Sequence, residues 1–279
     1  MDVCKSLFLF FIVFTFIPHF STAQRIDDKD ETRLYAQSKQ VNQFFRRFNG
    51  EEDEKGNRIY PNDKQYRSSK LRKKYLITLF DANNTGVTDA LKNEFVTVLL
   101  ARPEATILDF HGKNWFSEVQ TLFNSSGKEQ TVTLFMELEK DHLGSKWVIQ
   151  KAHADMLTPY FYRDTTKVGR FLHPMSHELD FMNLRKAFVA TDSLSQFTVK
   201  SFKPDHLSVL LYEIKKGNLQ FKSVAQVKFH LFQIDGWYFE VSEFNRSGYN
   251  TGWLISNLVK LKNPSEKEIL LNYLQYENR

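Results

Sequence analysis

The chain has 279 residues, a formal net charge of +5, 42% hydrophobic and 25% charged residues, which excludes a disordered chain and is too weakly basic to require a nucleic-acid partner. Its one cysteine, Cys4, precedes the first apolar run. A chain cleaved behind that run has no disulfide, no thiolate metal site and no cysteine nucleophile.

Lys5 and the terminal amine lead into an apolar run from Leu7 to Ile17, Pro18 breaks it, and Ser21-Thr22-Ala23 offers small residues where a signal peptidase cuts. The run is too short to span a bilayer, which takes about 20 residues. Residues 1–23 therefore read as a signal peptide, with Gln24 as the new N-terminus. That start resembles exported proteins of the Bacteroidetes, which implies the periplasm or cell surface of a Gram-negative bacterium.

Leu34, Val41, Phe44, Phe45 and Phe48 fall at helical spacing and predict a first helix, ended by Asn49-Gly50. Glu51 to Asn62 reads as a polar loop. Ser68 or Ser69 can cap a second helix with Leu71, Tyr75, Leu79 and Phe80 as its buried stripe. Arg67, Lys70, Arg72, Lys73 and Lys74 give that helix a basic side, which reads as a solvated face rather than an anion contact. Asp81 to Asp89 resembles a calcium loop in its oxygen-bearing positions and Gly86. Lys92 stands where a bidentate glutamate should close the shell, so a helix–helix turn capped by Thr88 or Asp89 is the expectation. The third helix runs to about Ala101 and stops before Pro103.

Strands follow: Thr106 to His111, Asn114 to Phe123, Gln130 to Glu139, then Trp147 to Lys151 after a loop at Asp141 to Ser145. Val132, Leu134, Met136 and Leu138 alternate with polar neighbours, the period of a half-buried strand. Asp109 and His111 share a strand face in this reading and form a candidate acid–base pair, although solvent-facing polar residues are the simpler account. Three helices followed by a meander ending in Trp147-Val-Ile-Gln-Lys151 resemble the nuclear-transport-factor-2-like, cone-shaped α+β fold. The resemblance implies a pocket between helices and sheet. It rests on element order, and the acid–base pairs of the family's enzymes have no matching residues here.

A boundary is expected near Met156. His173-Pro-Met-Ser-His177-Glu178 invites a metal reading, but Pro174 belongs at the first position of a helix and leaves His173 at or before its start. A helix follows from Glu178 to Ala190. Asp205 caps another with Leu207, Leu210, Leu211 and Ile214 on one face and Gly217 behind it. Strands are expected over Leu219 to Ile234, Trp237 to Phe244 and Gly252 to Ser256, with Asp235-Gly236 between the first two. Pro264 opens a last helix. The two halves repeat one plan, either by duplication or as two unrelated α+β domains.

The expected organisation is thus α+β, helices packed on curved antiparallel sheets, in two domains of similar plan at 28–155 and 156–279. No phosphate loop, dinucleotide fingerprint or nucleophile elbow occurs, so no catalytic, cofactor-binding or metal residues are assigned. Three triplets, at Asn83, Asn124 and Asn245, fit the N-glycosylation pattern and matter only in a eukaryote. The functional expectation is an exported, non-catalytic protein that binds a small molecule or an envelope protein. The alternatives are a cone-fold enzyme acting on a small or carbohydrate-like substrate, and a structural component of an envelope assembly.

Overall fold

A computed structural model describes residues 41–53, 55–142, 144–161, 188–189, 197–199, 201–202, 204–247 and 250–276. The chain divides into two units, Met1–Ser38 and Lys39–Arg279, and every described residue belongs to the second. The expected signal peptide, the start of the first helix, the His173–Glu178 cluster and nearly all of the helix at 178–190 lie outside the described residues.

Among the described residues three helices come first: α1 (Val41–Asn49), α2 (Ser69–Thr78) and α3 (Asp89–Ala101). The strands β1 (Trp115–Ser125), β2 (Lys128–Asp141) and β3 (Gly144–His153) follow. A short α4 (Thr158–Phe161) and α5 (His206–Lys215) precede β4 (Gln220–Leu231), β5 (Trp237–Phe244), β6 (Gly252–Lys260) and α6 (Pro264–Leu274). Caps match the local sequence. Ser68 and Thr88 accept from the Leu71 and Leu91 amides, Asp205 from Leu207 and Ser208, and Asn263 from Glu266 behind Pro264 at the first turn.

The α+β class holds, but the strands do not form two sheets. They make one antiparallel sheet in the order β3-β2-β1-β4-β5-β6. Val119 of β1 faces Leu134 of β2 on one side and Val227 of β4 on the other. The boundary expected near Met156 therefore falls between two strands of a single sheet. A meander leaves its first strand with an open edge, and alternation alone does not say which later strand will fill it.

Helices cover both faces. On one, Phe44, Phe48 and Phe95 from α1 and α3 pack on Trp115, Phe229, Leu231, Trp237 and Phe239. Phe48 stacks on Phe239 with ring centroids 5.7 Å apart. Further along that face, Leu210 of α5 packs with Phe123, Val132 and Ala152. The other face carries Phe116, Phe135 and Tyr238, covered by Leu270, Leu271 and Leu274 of α6.

Two local expectations fail. Thr106 to His111 is not a strand: Pro103–Thr106 is a 3-10 turn, and the backbone beyond it is held by a side chain. Gln233 Oε1 accepts from the Asp109 amide at 2.9 Å, and Gln233 Nε2 donates to the Asp109 and Lys113 carbonyls. The buried stripe of α2 is Arg72 and Leu76, with Leu79 and Phe80 just beyond the helix. Arg72 does not lie on a solvated basic face; it is fully enclosed. Among the described residues no helix is long and apolar enough to cross a membrane.

Candidate functional site

The turn from Asp81 to Gly86 is a structural clasp. Asp81 accepts from Arg246 Nη2 at 2.6 Å and from the Asn83 amide at 3.0 Å. Asn84 Oδ1 accepts from the Gly86 amide, and its amide nitrogen donates to the Ser256 carbonyl. The Asp81 amide donates to the Ile255 carbonyl at 3.1 Å, and the Ile255 amide donates to Leu79 at 2.7 Å. Of the candidate calcium ligands, Asp81 is taken up by Arg246 and the Asn83 amide, while backbone bonds and the Asn84 amide nitrogen dock the α2–α3 turn on the edge strand β6. Lys92 pairs with Asp89 at 3.2 Å. Among the described residues no group of three or more histidine or acidic side chains is placed to hold a metal.

Asp109 and His111 are both exposed. Asp109 accepts from the His111 amide at 2.9 Å, and His111 Nδ1 lies 3.1 Å from the Ser145 hydroxyl. The structure brings them together as turn residues, not inside a cone. The basic side of α2 is divided: Arg67 pairs with Glu51 at 2.7 Å, while Lys70 and Lys73 are exposed.

A buried acid–base pair exists elsewhere. Glu118 on β1 and His230 on β4 lie on the α6 face of the sheet, with His230 Nε2 3.0 Å from Glu118 Oε2. His230 Nδ1 is 2.9 Å from the Tyr238 hydroxyl on β5. His230 and Tyr238 are 0% and 1% exposed. Burial pushes the Glu118 carboxyl up, but the hydrogen bond and charge of His230, with Lys228, bring it below the usual carboxylate range. Burial, then the carboxylates of Glu240 and Glu118, push the Tyr238 phenol far above its ordinary value. The phenol therefore stays protonated, and both imidazole nitrogens are engaged, Nδ1 with Tyr238 and Nε2 with Glu118. Phe116 stacks on the imidazole at 4.8 Å. The arrangement staples β1, β4 and β5.

An open cleft of about 350 Å³ lies at the end of β3, lined by Lys151, His153, Pro204, Asp205, His206, Gln275 and Tyr276. Its walls are a stack of rings. Tyr276 lies 4.1 Å from His153, His153 lies 5.1 Å from His206, and His206 lies 4.2 Å from Phe161, with interplanar angles of 12°, 15° and 27°. Both faces of each imidazole are covered, so only ring edges are left to meet a ligand. The Ala154 amide donates to His206 Nδ1 at 3.3 Å, which leaves Nε2–H as the outward donor. Burial lowers the His206 pKa, the charges of His153 and Lys151 lower it further, and Asp205 and Asp155 oppose them. The Asp205 carboxylate is engaged by the Leu207 and Ser208 amides and the Ser208 hydroxyl. Asp155 sits 3.2 Å from His153 Nε2. Tyr276 holds a left-handed backbone at φ 61°, costly for a bulky residue, with its ring against His153 and Phe135.

Sequence reasoning missed the cleft because its parts come from three separated segments. His230 carried a readable signal: a histidine inside the apolar run Val227-Lys-Phe-His-Leu-Phe232 has to find a partner when the strand is buried. No family model, no curated protein and no solved structure matches the chain.

Proposed function

We propose that this is an exported, non-catalytic α+β protein that binds a small organic anion, such as a carboxylate, in the cleft between β3, α5 and Tyr276. The observation that carries the reading is the cleft itself, at the lower end of the ~300–1,000 Å³ typical of small-molecule sites. Its chemistry favours an anion. Lys151 supplies a cation, His206 an N–H donor, and of the two carboxylates beside the rings Asp205 is engaged in capping α5 and Asp155 in its contact with His153. Rings stacked face to face accept no further stacking partner, so the ligand meets polar edges. The cone-like architecture of the first-half resemblance is part of this proposal. It is supported by three helices packed on one face of the sheet, although that face is filled by phenylalanine and tryptophan side chains around Phe239.

The enzymatic reading asks for a buried acid–base pair that a substrate can reach. Glu118 and His230 meet the first condition only, because Tyr238 and Phe116 close the imidazole off.

The test is a heteronuclear NMR titration of the full chain with succinate, inorganic phosphate and a set of neutral fragments, following the His153 and His206 ring signals. The reading expects anions to shift both rings, more tightly at pH 6 than at pH 7.5, because a bound anion favours imidazole protonation. Lys151→Met weakens that binding about tenfold or more, the scale of a lost charge-assisted contact. Shifts with neutral fragments alone would overturn the anion and keep the cleft. No shift with any probe would overturn the cleft as a binding site.

A further inference from the structure

The three glycosylation triplets are not absorbed by the binding site, and the structure places them consistently. Asn83 lies in the turn between α2 and α3, Asn124 near the end of β1, and Asn245 directly behind β5; all three are exposed. The hydroxyl residues that complete the triplets, Thr85, Ser126 and Ser247, are exposed as well. Among the described residues, none of the three asparagine side chains makes a hydrogen bond. Their neighbours differ. Asn84, one residue on from Asn83, donates to the Ser256 carbonyl. Asn250, shortly after Asn245, accepts from the Ala82 amide and donates to the Phe80 carbonyl. A fourth triplet, Asn263-Pro264-Ser265, is barred by its proline. There the asparagine is engaged, capping α6 through the Glu266 amide at 2.9 Å. The usable triplets thus coincide with free amides, and the unusable one with a structural amide.

We infer that the exported chain is N-glycosylated at Asn83, Asn124 and Asn245. The inference rests on the export part of the reading above. It puts the chain in a secretory pathway that holds an oligosaccharyl transferase, in place of the Gram-negative envelope implied by the leader's resemblance. Transfer forms a bond between the side-chain amide nitrogen and C1 of the first sugar. It breaks the bond from C1 to a lipid diphosphate donor, and the amide proton leaves with the diphosphate. None of the three asparagines lines the cleft.

The experiment expresses the full chain with its own leader in insect cells and measures the secreted protein's intact mass before and after peptide-N-glycosidase F. The inference expects sugar at the three asparagines, each converted to aspartate on release. Asn83→Gln, Asn124→Gln and Asn245→Gln each remove one glycan and leave the melting temperature unchanged. Thr85→Ala removes the first glycan while keeping Asn83. A secreted chain without sugar, or with sugar on other residues, overturns the inference alone. A chain kept inside the cell with its leader attached overturns both the inference and the export reading.

Discussion

Arg72 Nη2 donates to the Thr106 carbonyl at 2.9 Å, and in doing so ties the middle of α2 to the turn that closes α3. The same guanidinium reaches the Phe48 carbonyl at the end of α1 and the Pro103 carbonyl. It thus sits where two helices end, and a cation is favoured at such ends by the exposed carbonyls. Arg72→Met should cost ~3 kcal/mol or more, because several buried carbonyls lose their donor at once. Arg72→Lys should recover less than half of that, since one compact ammonium cannot reach the acceptors that the guanidinium spans with three separate nitrogens. Urea unfolding of both variants checks the order.

Gly50 is required twice over. Its φ is 73°, and a Cβ built there would lie 2.8 Å from Arg72 Cγ. Gly50→Ala should destabilise by about 1–3 kcal/mol. Its denaturation midpoint should fall with no change in slope, the mark of lost stability rather than a changed unfolded state.

Glu118 makes stability depend on acid. Its folded pKa is depressed, so its contribution is present above the ordinary value of 4.5 and is lost as pH falls through the folded value. Glu118→Gln should be less stable than the parent at neutral pH, and the gap should close below pH 4.5. Unfolding free energies measured from pH 7 to pH 3 would show this. A gap that widens with acid would contradict the sign.

The Asp81 clasp predicts indifference to calcium. Millimolar calcium should leave the melting temperature unchanged. Arg246→Ala, which strips Asp81 of its partner at 2.6 Å, should cost about 1–2 kcal/mol. Thermal melts with calcium and with a chelator read both effects.

His206 should titrate below its ordinary value of 6.5 in the free protein, for the reasons of burial and neighbouring cations given above. A depressed histidine contributes stability that is lost as pH falls through that range. An anion in the cleft should move the midpoint upward. Following the His206 ring proton signal by NMR, with and without succinate, measures the free and bound midpoints directly.

Much of the fold was legible because it is local. The alternation of Val132 to Leu138 fixed a strand, and Asp205, Thr88 and Pro264 stand where helices begin. What could not be read was partnership. Arg72 sits among lysines on α2, and only the arrival of two other helix ends makes its burial favourable. Asp109 carries the pattern of a strand residue, yet Gln233 holds its backbone from far along the chain. The cleft needs His153, His206 and Tyr276 together, and nothing in the spacing of three such distant residues announces a ring stack.

The pairing of β1 with β4 also bears on how the chain reaches its native state. Trp115 faces Leu231 across that seam, so joining them closes a loop of roughly a hundred residues, an entropic demand that must be met before the contact contributes. Strands β1 to β3 can form from nearest neighbours soon after synthesis, while β1 keeps an unsatisfied flank until β4 has emerged. The slow phase of refolding should therefore be the meeting of the two meanders. A chain stopped before β4 would carry the flank as a sticky edge, prone to pair with a second copy.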